Sequence, residues 1–142
     1  MDDTETVWVD REFDDHDFRD DDLRGLRTER VVFTDCDFSG VDLGESEHVG
    51  SAFRNCTFHR TSLWHSTFRH CSMLGSVFTE CRLRPLTLVE VDFTLAILGG
   101  CDLRGARSDP TLWTTAAVRG ARIDIEQALA FAAAHGLDVH GE

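Results

Sequence analysis

The chain contains no lysine, so all 14 of its basic side chains are arginine guanidiniums. Against 26 acids they leave a formal charge of −12, a balance that argues against direct binding to nucleic-acid phosphates. No run of 18 apolar residues occurs, which excludes a membrane-spanning helix. Met1-Asp2-Asp3 lacks the basic start of a secretory signal, and a cytoplasmic protein is expected. There is no glycine-rich nucleotide loop, and no cysteine is paired with a histidine outside positions that read as core. Catalysis, a cofactor and a metal are therefore not expected. Proline is scarce, with Pro85 and Pro110 both at the last place of a five-residue unit, where a corner is expected to tolerate a missing N–H donor.

What the chain does have is a period of five. From Phe13 to Ile123, 20 of the 23 residues at every fifth position are bulky and apolar, the exceptions being Thr28, His48 and Ser108. An α-helix repeats near 3.6 and a strand at two, so a period of five sustained this long marks a stacked repeat array. The same residues fall into columns of spacing 20. One column reads Leu23, Leu43, Leu63, Leu83, Leu103, Ile123, and another Phe13, Phe33, Phe53, Met73, Phe93, Trp113. Four five-residue steps then make one square turn, with residues 20 apart stacked directly above one another. The position two before each bulky residue is small or apolar, as at Val31, Cys36, Val41, Cys56 and Cys71, and the residue between is often acidic, as at Asp17, Asp37 and Asp102.

This is the pattern A(D/N)LxG, clearest at Cys36-Asp37-Phe38-Ser39-Gly40, Val91-Asp92-Phe93-Thr94-Leu95 and Cys101-Asp102-Leu103-Arg104-Gly105. Over about four-fifths of its length the chain resembles the pentapeptide-repeat family. The resemblance implies an all-β solenoid, a right-handed quadrilateral β-helix, here of about six coils with a short C-terminal capping helix. The expected organisation is an N-terminal leader and cap over 1–10, the β-helix over 11–123 and a C-terminal helix and tail over 124–142. Trp8 is expected to plug the first coil. All five cysteines occupy the small inward position and are expected to be free thiols, since parallel side chains in neighbouring coils are poorly aimed for bridging. His48 reads as a core histidine bonded to a backbone carbonyl, and Ser108-Asp109-Pro110 as a bulge in one wall.

After residue 123 the five-residue rule stops and helix formers take over. Asp124 with Gln127 echoes a capping box, and Gly136 suits the position just past a helix. Ile125, Leu129 and Ala132 share a face that is expected to cover the last coil, broadened by Ala128 and Phe131. The resemblance also implies a homodimer built by this C-terminal segment; a lid on a monomer is the plainer alternative.

Charge is unevenly spread. Residues 1–50 hold 17 acids and 5 arginines, whereas residues 51–100 hold 3 acids and 5 arginines. The candidate acidic partner surface is Asp14, Asp15, Asp17, Asp20, Asp21, Asp22, Asp35, Asp37 and Asp42. It serves solubility or imitates phosphate toward a DNA-binding protein. A square coil turns Leu74, Val77, Leu95, Ile97 and Ala117 outward near one corner, with Leu112 on the adjoining wall. Together with Ile125, Leu129 and Phe131 these form a candidate apolar contact or dimer surface. Trp64 with His59, Arg60 and His65 is a weaker candidate. Two functions follow: a rigid, non-enzymatic scaffold for a protein partner, or the role implied by similarity to the quinolone-resistance pentapeptide proteins. Those acidic rods imitate duplex DNA at DNA gyrase, a type II topoisomerase, and inhibit it or protect it from drugs such as fluoroquinolones.

Overall fold

The computed structural model describes residues 6–141; residues 1–5 of the expected leader lie outside the described residues. The chain winds as a right-handed quadrilateral β-helix. Its strands are β1 (Val7–Val9), β2 (Glu12–Asp14), β3 (Arg27–Glu29), β4 (Val32–Thr34), β5 (Glu47–Val49), β6 (Ala52–Arg54), β7 (Thr57–His59), β8 (Ser66–Arg69), β9 (Val77–Thr79) and β10 (Leu86–Val89). Two helices follow, α1 (Thr111–Thr115) and α2 (Ile125–Ala134). The sheets run β1-β3-β5-β8-β10, β2-β4-β6 and β7-β9, all parallel. Each register pairs a residue with the one twenty further on, as in Phe13↔Phe33↔Phe53. The strand-bearing part makes about four turns. Single bridges carry the same register upward, as far as Ile97↔Ala117 and Asp102↔Arg122.

The five-residue period has a backbone cause. Thirteen non-glycine residues have positive φ, and every one stands at a multiple of five, from Asp10 (53°) to Leu95 (60°). With glycines such as Gly25 and Gly40, every corner from Asp10 to Gly120 except Pro85, Pro110 and Thr115 thus takes one left-handed residue, at a cost of roughly 1–2 kcal/mol where a Cβ is present. Rungs between coils offset that strain, for example Phe38 N–H to Thr57 O at 2.8 Å and Glu45 N–H to Trp64 O at 2.7 Å. The acidic place in the repeat is explained as well. The N–H groups of Arg19, Ser39, Gly44, Thr94 and Arg104 each donate to the Asp carboxylate two residues before, closing the turn with a side chain.

Corner N–H groups are themselves rung donors, as at Gly25, Gly40 and His65. Proline at a corner therefore removes a bond, a loss that the corner at Pro85 accommodates, its carbonyl still accepting from His65 N–H. Around Pro110 the wall yields. Instead of a bulge, the chain forms α1, and the Asp109 carboxylate accepts from the N–H groups of Glu90 and Thr111. The wall that runs through Ala52↔Ser72↔Asp92 ends there. Leu112, expected on the outside, is turned inward by α1 and is buried with Trp113.

Inside, coil spacing sets ring spacing. Phe18, Phe38, Phe58 and Phe78 stack at 4.9, 5.0 and 4.4 Å between centroids, with planes within 9°. Fully burying each ring is worth roughly 1.5–3 kcal/mol. The residual void is about 10 Å³, lined by side chains such as Leu63, Phe68 and Met73. No substrate fits there. The five cysteines are free and buried, their thiols directed at backbone carbonyls, Cys81 Sγ to Phe58 O at 2.9 Å. Burial pushes the Cys56 thiol up to about 12.

Both ends are covered. Trp8 lies half-buried 5.0 Å from the Phe13 ring, and the Arg11 guanidinium sits 4.9 Å over Phe13 and 5.3 Å over Trp8. At the other end α2 carries the capping box, Asp124 accepting from Gln127 N–H while Gln127 Oε1 accepts from Asp124 N–H. Its C-terminus closes with Leu137 N–H to Ala132 O and Gly136 N–H to Ala133 O, Gly136 supplying a φ of 74°. The face that meets the core is only partly the one expected: Phe131 belongs to it, Ile125 and Leu129 do not. Gln127, Phe131 and Ala134 turn inward, while Ile125 and Leu129 are exposed. Gln127 Nε2 donates to the carbonyls of Leu103 and Ala106. A polar residue is drawn inward because the terminal coil presents backbone acceptors that no apolar side chain can satisfy. Ile123, read as inward, is 37% exposed for want of a further coil above it.

Candidate interaction surfaces

The stacking register arranges the acids in vertical rows. Asp17 bridges to Asp37 on one wall and Asp22 to Asp42 on the next. Asp15 and Asp35 share the corner before the first of these walls, and Asp20 marks the corner between the two. Like charges one coil apart repel, and arginines are interleaved among them. Arg19 grips Asp17 with Nε at 2.9 Å and Nη2 at 2.7 Å, and lies 3.9 Å from Asp37. Arg24 does the same between Asp22 at 3.1 Å and Asp42 at 3.6 Å. The Arg19 hydrogen bonds hold the Asp17 carboxyl down to about 2, and those of Arg24 lower the Asp22 carboxyl from its ordinary value. Asp14, Asp15, Asp20, Asp21 and Asp35 have no ion pair among the described residues. Four of the nine acids are thus partnered structure, and five carry charge without an ion pair among the described residues.

The apolar candidates separate into two places. Val77, Ile97 and Ala117 stack in one register, and Leu95 stands 75% exposed at the adjoining corner with Ile97 47% exposed. Leu74 beside them is half-buried. Leu112 does not belong to this corner, and Phe131 packs against Trp113, 6.0 Å ring to ring. Ile125 and Leu129 form a separate apolar face on α2, continued by exposed Leu137 and Val139.

Trp64 is half-exposed and lies edge-on to His65 at 4.1 Å. His59 does not join them, being bonded to Thr79 Oγ1 at 2.7 Å, and Arg60 turns to Glu80 at 3.3 Å. His48 is buried, its Nδ1 bonded to Thr28 Oγ1 at 2.7 Å and its Nε2 to Ser46 Oγ at 2.9 Å. Its partners are hydroxyls, not the expected carbonyl. They reach it because Thr28 occupies the same column one coil below. Burial lowers the ring to about 3, so it is neutral. Among the described residues no group of three or more His, Cys, Asp or Glu is placed to hold a metal.

The family model for pentapeptide repeats, in 8 copies, matches residues 36–73 and 49–84. This chain belongs to the pentapeptide-repeat family. The rod is 74% identical over 98 residues to Pentapeptide repeat protein MfpA of Mycobacterium tuberculosis, a match covering 69% of this chain and 54% of that protein. It is 31% identical over 87 residues to Quinolone resistance pentapeptide repeat protein QnrB96 of Scandinavium goeteborgense, covering 57% of this chain and 38% of that protein. The chain therefore spans about half, or less, of the curated relatives it matches. Among solved structures, the pentapeptide repeat protein Rfr23 from the cyanobacterium Cyanothece 51142 superposes with a TM-score of 0.50 at 16% identity. That match covers 85% of this chain and 88% of that one, and it shows the fold alone.

Two features of this pentapeptide-repeat rod were not read from its sequence. The aspartate at the second place of several units doubles as a turn cap, which its recurrence three residues before the corner signals in hindsight. Arg82 and Arg84 flank Trp64 in a surface groove of about 430 Å³ whose lining also includes Asp102. The twenty-residue register alone places Arg82 above Ser62 and Arg84 above Trp64.

Proposed function

We propose that this pentapeptide-repeat chain is a non-catalytic protein-binding rod whose partner is a type II topoisomerase, met through the acidic first coils as a stand-in for duplex DNA. The observation that carries the reading is charge density. Residues 6–50 hold fourteen acids and five arginines, a net charge of −9, over a little more than two coils, or about 11 Å at strand spacing. That is one negative charge per ~1.2 Å, against one per ~1.7 Å along a DNA duplex. Similarity to a protein named for quinolone resistance supports the choice of partner. The interior is filled, which suits binding rather than chemistry. In this reading the chain does not bind nucleic acid itself, and it works in the cytoplasm where gyrase acts.

The test is a supercoiling assay with purified gyrase, with and without a fluoroquinolone. The wild-type chain is expected to alter one of the two reactions at micromolar concentration. A variant with Asp14, Asp15, Asp20 and Asp35 changed to Asn removes free charge without touching the turn caps. It should need roughly ten times more protein for the same effect. No effect of the wild type on either reaction overturns the proposal.

A second reading is favoured by the exposed corner of Leu95, Ile97, Ala117 and Val77: a scaffold that packs this corner on another protein. The exposed face of Ile125 and Leu129 supports homodimerisation through the C-terminal end, which light scattering reads directly.

A further inference from the structure

The fold uses the Trp64 carbonyl, which accepts the Glu45 N–H at 2.7 Å, but it does not use the indole, which stands 49% exposed. Above it is the groove formed with Arg82, Arg84 and Asp102. Below it is a second groove of about 320 Å³, lined by residues that include Asp42, Gly44, Glu45 and Ser62. The two share Trp64 and Arg82 and so form one trough along a single wall. Gly44 is closely packed at its floor: a Cβ there would lie 3.0 Å from Asp42 Oδ1 and 3.4 Å from Trp64 O.

The wall reverses sign across the indole. Its lower half presents Asp22, Asp42 and Glu45 against one base, Arg24, which lies between the two aspartates. Its upper half presents Arg82, Arg84, Arg104 and Arg122 against two acids, Asp102 and Asp124, the second of which is held by the N–H groups of Gly105 and Gln127. Arg104 already holds Asp102 with two bonds, at 2.9 and 2.8 Å, leaving Arg84 3.8 Å away. Arg82 and Arg122 have no ion pair among the described residues. Arginine and tryptophan are the side chains that most often dominate protein interfaces.

We infer that this trough is a docking site for an extended peptide segment of a protein partner, with acidic residues over Arg82 and Arg84 and an apolar side chain on Trp64. The inference rests on the reading of the chain as a protein-binding rod. It adds a contact that starts at the upper edge of the acidic coils and runs along one wall away from them. Charge complementarity selects the occupant. A nucleic-acid strand is anionic throughout and is repelled by Asp42 and Glu45, whereas a peptide can carry acids at one end and bases at the other. From the coil of Asp42 to that of Asp102 is three steps, about 14 Å, which accommodates four to five extended residues.

The probe is an acetylated, amidated pentapeptide of two glutamates, one leucine and two lysines, titrated against the full chain. Its control carries glutamines in place of the glutamates. Trp64 is the most exposed of the three tryptophans, so emission and the indole N–H resonance report on the site. Saturable binding of the first peptide is expected, weakened about tenfold or more by Arg82→Glu with Arg84→Glu, and similarly by Trp64→Ala. These side chains lie outside the core, and an unchanged urea midpoint confirms that each variant folds. The inference is overturned if millimolar peptide produces no saturable change. It is overturned equally if the glutamine peptide binds as well, or if a single-stranded oligothymidylate binds more tightly. The gyrase reading is judged separately. The doubly substituted arginine variant with intact gyrase activity and no peptide binding by the wild type would sink the trough alone. Peptide binding by a chain inert toward gyrase would sink the topoisomerase reading alone.

Discussion

Lowering the pH should destabilise this rod through one histidine well before its carboxylates are protonated. The His48 ring is fully buried, stacked on Phe68 at 4.5 Å with Phe53 edge-on at 5.4 Å. Desolvation holds it at about 3, against an ordinary value of 6.5. At pH 7 the ring is neutral in both the folded and the unfolded chain. Below 6.5 the unfolded chain takes up a proton that the folded interior refuses until about pH 3. Stability is thus fully present above 6.5 and is lost as pH falls from there to about 3, at up to ~1.4 kcal/mol per pH unit. Between pH 7 and pH 5 the loss is about 2 kcal/mol. Urea unfolding at pH 7, 6 and 5 measures it. His48→Gln keeps hydrogen-bonding capacity toward Thr28 and Ser46 but does not titrate, so the difference between the two slopes isolates this ring. If wild type and variant lose equal stability between pH 7 and pH 5, the reasoning is wrong.

Other outcomes follow from the packing. Phe58→Ala removes the ring between Phe38 and Phe78 and should cost about 3–5 kcal/mol in urea unfolding; a loss below ~1 kcal/mol would mean that the stack is not the core. Gln127→Leu strands the carbonyls of Leu103 and Ala106 and breaks the capping box. A loss of about 1–3 kcal/mol, with faster hydrogen exchange confined to α2 and the last coil, is expected. Gly99→Ala places a Cβ 2.7 Å from the Arg119 backbone oxygen, so the melting temperature should fall; Gly25→Ala, with open space around it, meets only the strain of its positive φ. Leu95→Glu with Ile97→Asp should leave the melting temperature within error. If light-scattering mass is also unchanged, the corner is not a self-association surface.

Much of this architecture was legible because a solenoid repeats one local rule. Residues twenty apart are neighbours, so the columns of Leu43, Leu63 and Leu83 or of Phe38, Phe58 and Phe78 name the core directly. The pairing of Asp124 with Gln127 announced the cap. Legibility failed where the repeat stops. Pro110 broke a wall into α1 and carried Leu112 inside, an outcome that depends on how the neighbouring coil accommodates a missing N–H. The surfaces were legible only as lists, because the ion pairs of Arg19 and Arg24 are set by side-chain reach rather than by sequence position.

The sequence by itself determined the coil, its register, its buried columns and the placement of charge toward one end, because each follows from spacing along the chain. Only the tertiary structure decided which face of α2 lies on the rod. Helical periodicity says that Ile125 and Leu129 share one side and Gln127 and Phe131 another. It cannot say which side meets the core. Hydrophobicity favoured the first, but the open carbonyls of the last coil required a hydrogen-bond donor, and the helix turned to supply Gln127.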